Sequence, residues 1–199
     1  MAELAGGLSP TQLGAMSDLA VAGSETAATT LSSLIGRPVE LDEPQGVALP
    51  VAEAIERCGP SDAVVTAIAV PTGGDLDGLA VICMPPPTVN TLCELLGVSA
   101  DDDIGVSALC EVGNILGASY LGALAGMTGL TLAPGPPERV VDMLGAILGS
   151  AFVANGDGET ALLLESTLTV AESECSLAFL FMPSPSGLHG MLHRLGAAA

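Results

Sequence analysis

The sequence predicts an α/β fold of the α+β kind with internal pseudo-twofold symmetry, and two matches of the chain to itself carry that prediction. At a shift of 93, Ser107, Glu111, Asn114 and Pro137 fall over Gly14, Asp18, Val21 and Pro44, with Gly129 over Gly36 and Leu124 over Leu31. At a shift of 98, Leu79-Ala-Val-Ile-Cys-Met-Pro85 parallels Leu177-Ala-Phe-Leu-Phe-Met-Pro183, and each run opens a helical pattern that ends in Leu-Gly. Each unit of about 95 residues reads helix, strands, helix. Residues 1–199 are therefore read as one domain made of two repeats, about 8–98 and about 101–197, since no linker long enough to separate independent domains interrupts them.

Ser9-Pro10 opens the first long helix, because proline suits the first helical position and serine caps it. The helix runs to about Ile35 and stops at Gly36. Val39 to Val47 is short and extended, and a brief helix from Pro50 to Arg57 precedes the Gly59-Pro60 break. Ala63 to Val70 and Leu76 to Met84 read as strands joined across Thr72-Gly-Gly-Asp75, and Pro86 starts a helix to Leu96. In the second unit, Asp101, Asp102 and Asp103 favour the N-terminal dipole of a helix that reaches about Gly126. Val140 to Asn155 has helical periodicity, and Asn155-Gly-Asp-Gly158 breaks it. Ala161 to Val170 and Ser176 to Met182 form a second hairpin, and Ser184-Pro185 starts a terminal helix.

Composition narrows the chemistry. The chain has no lysine and only Arg37, Arg57, Arg139 and Arg194 against 23 acidic residues, a formal net charge of −19. Phosphate backbones and anionic lipid both need basic patches, so neither nucleic acid nor membrane is expected as a partner. The five cysteines are odd in number and show no C-x-x-C spacing, which reads as buried thiols in a reducing compartment. The N-terminus lacks the basic start and apolar core of a signal peptide, and the expected location is cytoplasmic. Val112 to Pro137 carries no charge and contains two G-x-x-x-G spacings, but Asn114, Ser119, Thr128 and the absence of basic flanks argue against a membrane span. His189 and His193 lie four apart with no third ligand nearby in sequence, so surface histidines are expected rather than a zinc site.

The polar chemistry concentrates in Ser107-Ala-Leu-Cys-Glu111-Val-Gly-Asn114. On a helix Ser107, Glu111 and Asn114 fall within about 60° of one another, opposite an apolar arc of Leu109, Val112, Leu116, Ala123 and Met127. The next outward positions, Ala118, Gly122 and Ala125, are small, so a carboxylate and a carboxamide stand at one end of a low surface suited to docking another protein. Asparagine both donates and accepts hydrogen bonds and can hold a water in a fixed orientation. Glutamate can accept from a partner's cation. In phosphoryl transfer such positioning supplies most of the catalysis.

The pattern Ser-x3-Glu-x2-Asn, with Pro137 following after 22 intervening residues, resembles the signature of the CheC, CheX and FliY family of chemotaxis phosphatases. The resemblance covers nearly the whole chain. It implies two long signature helices packed on one side of a shared, mainly antiparallel β-sheet, and hydrolysis of the aspartyl phosphate of the response regulator CheY. By that resemblance Glu111 engages a lysine of the partner and Asn114 orients the attacking water. Ser107 edges the patch and Pro137 shapes the loop beside it. The chain needs no cofactor of its own, since the partner brings Mg2+. In the first unit Gly14, Asp18, Val21 and Pro44 form a degenerate site, because valine cannot orient water. The two-unit layout within the family also implies a monomer and CheD as a further partner. The competing reading is a non-catalytic adaptor that keeps the fold to bind CheD or the flagellar motor switch.

Overall fold

The computed structural model describes residues 9–155, 160–170, 173–184, 187, 190, 191 and 193–195. Helix α1 (Pro10–Ile35) starts where the sequence places it. The Ser9 hydroxyl accepts from the Gln12 backbone N–H and the Gln12 side chain accepts from Ser9 N–H, a reciprocal cap, and Gly36 ends the helix at φ 72°. Strand β1 (Val39–Pro50), helix α2 (Val51–Cys58), strands β2 (Val64–Gly74) and β3 (Gly78–Met84) and helix α3 (Pro86–Leu96) complete the first half. Strand β2 runs on to Gly74, so the hairpin tip lies at residues 75–77 rather than across Thr72 to Asp75.

The second half contains α4 (Asp103–Thr128), β4 (Leu132–Pro134), β5 (Glu138–Met143), α5 (Leu144–Ala154), β6 (Thr160–Val170) and β7 (Ser173–Pro183). The expected helix over Val140 to Asn155 is corrected at its start: Glu138–Met143 is a strand paired with β2, and the helix begins at Leu144. Val140 and Val141 are β-branched and gain more from a partner strand some seventy residues away in sequence than from a helical turn. Local periodicity cannot report that distant partner. The shift of 93 does carry the signal, since it lays residues 132–140 over 39–47, which read as extended. Most of the terminal helix, including His189, and the break at 156–158 lie outside the described residues.

All strand pairs are antiparallel, in the order β1-β6-β7-β3-β2-β4, with β5 also paired to β2. The order is symmetric about the central β7–β3 pair. Each half reaches across to the other: β1 of the first pairs with β6 of the second, and β4 and β5 of the second both pair with β2 of the first. One face of the sheet packs against α1, α3 and α4 around Ile68, Val70, Ile82, Phe179 and Phe181. The opposite face packs against α2 and α5 around Val65, Ala67, Val81, Leu163 and Leu180. Alternate residues of β2 serve the two cores, as the pleat requires.

Helices α1 and α4 also pack on each other. The Ser24 and Tyr120 hydroxyls are 3.0 Å apart, Tyr120 stacks obliquely on Phe179 at 4.7 Å, and Gly23 lies where any Cβ would enter the Tyr120 ring. Among the described helices, α4 is long and apolar enough to cross a bilayer, but 50% of its most apolar stretch is buried inside the protein. That burial accounts for its hydropathy as a core helix.

Candidate active site

Helix α4 carries the outward acid and amide. The Asp102 carboxylate accepts from Gly105 N–H at 2.6 Å, and Gly129 closes the other end at φ 67°. The helix is unbroken between these caps, so Ser107, Glu111 and Asn114 ride on one rigid element. Ser107 and Glu111 are exposed and Asn114 is half-buried. Leu109, Val112 and Leu116 are fully buried on the opposite side, with Ala123 and Met127 packed at the core's margin. Neither Glu111 nor Asn114 has a hydrogen bond or ion pair among the described residues, so both side chains keep their polar valences for solvent or a partner.

Asn114 follows the closest approach of the helix to the sheet. At Gly113 an added Cβ would lie within 2.8 Å of three carbons of Ile68 on β2. Glycine here lets α4 lie directly on the strand, which fixes the height of the next residue above the sheet. Both β4 and β5 touch α4, and half-buried Pro137 sits in the link between them. Gly135 N–H donates to Pro71 O at 2.7 Å and pins that link to β2. The four residues singled out in the second unit are thus carried on two neighbouring elements.

In the first unit Gly14, Asp18 and Val21 are exposed on α1, and Pro44 lies at the register shift between Asp42 and Gln45 of β1. Val21 is 43% exposed, a methyl surface where the second unit has a carboxamide. Asn90 and Glu94 are both exposed on α3, as a solvated face should be. Sequence reasoning passed over Arg139. It is the cross-strand partner of Ile68 on β5, and its Nε is buried without a hydrogen-bond partner among the described residues. The available signal was scarcity: it is one of four cations in the chain and stands two residues after Pro137.

Four of the five thiols are poor nucleophiles because they are held protonated. Burial pushes Cys58 up to about 12, with the Glu165 charge adding to the rise and Arg57 opposing it. Burial likewise raises Cys83, Cys93 and Cys175. A raised thiol pKa in the folded state contributes stability that is fully present below the unfolded value near 9.0 and is lost as pH climbs towards the folded value. The chain has no lysine and one tyrosine, so few other groups change charge in that window. The urea midpoint should therefore fall steadily between about pH 9 and pH 11, and Cys58→Ala should flatten the fall. A midpoint independent of pH would contradict the buried-thiol account.

Comparisons with known proteins bear on this geometry. The model of the CheC-like family matches residues 104–141, the stretch from the start of α4 through Pro137 into β5. The CheY-P phosphatase CheC of Bacillus subtilis (strain 168) is 29% identical over 203 residues, covering 96% of this chain and 97% of that protein. The chain is similar to the CheC-like family over that stretch and to CheC over most of its length. Its fold is also that of Thermotoga maritima FliY, with a TM-score of 0.75 at 19% identity, covering 96% of this chain and 99% of that one. The FliM middle domain from H. pylori superposes with a TM-score of 0.63 at 13% identity, covering 94% and 99%. Those two likenesses establish the architecture alone. The CheC-like fold supplies the mixed α/β arrangement with long helices on one side of a mainly antiparallel sheet, and the family-matched segment contains Ser107, Glu111, Asn114 and Pro137 together.

Proposed function

We propose that this chain accelerates hydrolysis of the aspartyl phosphate of a CheY-type response regulator. The observation that carries the reading is a glutamate and an asparagine, unpartnered among the described residues, on the outward side of one unbroken helix that touches the strands flanking Pro137. A pocket enzyme would enclose such groups. Here they project, as they must if the reacting bond belongs to another protein.

In this reading Glu111 accepts from a lysine of the docked regulator and Asn114 holds a water in line with the acyl phosphate. The water oxygen bonds to phosphorus while the phosphorus–oxygen bond to the aspartyl carboxylate breaks. The products are inorganic phosphate and the free carboxylate, and no bond to this chain forms. The divalent cation that offsets the phosphoryl charge arrives with the regulator. Nothing more is asked of the asparagine than aim, since a carboxamide is far too weak a base to take a proton. Entropy already lost in holding the water counts towards the barrier.

We also read the chain as two units, 8–98 and 101–197, with one competent site. Val21→Ala should accordingly leave the rate of phosphate release within twofold of the parent, while a larger loss would place part of the chemistry on α1. The likeness in fold to the FliM middle domain favours one alternative, an adaptor that docks without catalysing. Phosphate release from a phosphorylated regulator separates the two. Catalysis requires loss of phosphate at substoichiometric concentrations of this chain; an adaptor would bind and leave the decay rate unchanged.

A further inference from the structure

The arginine that sequence reasoning passed over stands two residues after Pro137, opposite the Ile68 on which Gly113 rests, and has no partner among the described residues. Arg57 is held by Glu165 and Gln45, and Arg194 donates to Thr128 O at the end of α4. Arg139 has no ion pair or hydrogen bond among the described residues, although its Nε is buried. Because Ile68 lies against Gly113 and is the direct cross-strand partner of Arg139, the arginine leaves the sheet on the face that α4 covers. A half-buried guanidinium whose Nε is buried and unsatisfied among the described residues favours an anion brought by another molecule.

Two further features point to where that anion comes from. On the same face of the sheet, Val141, Met143 and Val64 are 50%, 46% and 54% exposed, an apolar shelf along the edge strand that continues from Pro137 and Arg139. In the first unit the position corresponding to Arg139 is Gly46, where even a Cβ would collide with the Met16 carbonyl. The cation therefore stands beside the unit that keeps its asparagine, and is missing from the unit that has lost it.

We propose that Arg139 determines specificity by taking a phosphoryl oxygen of the docked regulator, so that the chain prefers the phosphorylated form. This rests on the phosphatase reading above. Guanidinium geometry matches a phosphoryl group in a way a flexible ammonium does not, while the apolar shelf supplies docking area indifferent to phosphorylation.

The test measures binding of the full chain to a CheY-type regulator, with and without beryllofluoride and magnesium as a stable phosphoryl mimic, alongside phosphate-release kinetics. Arg139→Gln should weaken binding of the beryllofluoride form on the order of tenfold, leave the unmodified form within twofold, and raise KM more than it lowers kcat. Arg139→Lys should recover part of the loss. Equal weakening of both forms would mean that Arg139 meets a carboxylate on the regulator instead, and unchanged binding would make it a structural cation; either overturns the proposal. A parent chain that accelerates phosphate loss, with an Asn114 variant that does not, keeps the phosphatase reading whatever Arg139 does.

Discussion

Asn114→Ala should abolish accelerated loss of phosphate from the regulator while leaving the protein folded. The rate of phosphate release is expected to fall by a factor of about 100 or more, towards the regulator's own decay, because misplacing one reactant costs that much when positioning is the whole contribution. Stability should move by no more than about 0.5 kcal/mol, since the side chain is half-buried and bonds to nothing among the described residues. The Asp variant is the sharper test. It has the same shape but loses the two N–H donors and adds a negative charge where phosphoryl oxygens must approach, so it should be no better than alanine. Glu111→Gln should instead raise KM more than it lowers kcat, because the glutamate's task is to grip the partner. If Asn114→Ala retains parental activity with an unchanged unfolding midpoint, the water-positioning role is wrong and another group on the chain must aim the water.

The parts of the fold that were legible are those whose causes are local. The Ser9 cap, the glycine stops at Gly36 and Gly97, and the proline start of α3 each depend on residues within one turn, and each element begins or ends where those residues say. The amphipathic split of α4 was legible for the same reason, and Leu109, Val112 and Leu116 are buried as the helical period requires. The start of α5 was not, because β5 exists only through its pairing to β2, and a run such as Arg139-Val-Val-Asp-Met143 satisfies either period over so short a length. Arg139 was invisible for a related reason: its importance lies in what surrounds it across the sheet, and a single arginine in a list of four carries no local pattern.

The height of the site above the sheet is set by Gly113, and filling that position should show how closely stability and catalysis are joined. Valine there would drive its Cβ into Ile68, whose own Cβ belongs to the strand and cannot rotate away, so α4 must lift. Overpacking of this kind should destabilise the protein by about 2–3 kcal/mol, partly offset by the better helix propensity of valine over glycine. A lift of about 1 Å would carry Asn114 away from the Pro137 link and should lower phosphate release on the order of 100-fold, although no polar group has been changed. Ile68→Ala opens the same space from the other side at a cost of about 2–5 kcal/mol on its own. Combined, the two should recover at least about 1 kcal/mol relative to the sum of the singles and regain part of the lost rate. Strict additivity in both stability and rate would mean that α4 does not rest on Ile68. The acid and amide would then owe their placement to some other contact.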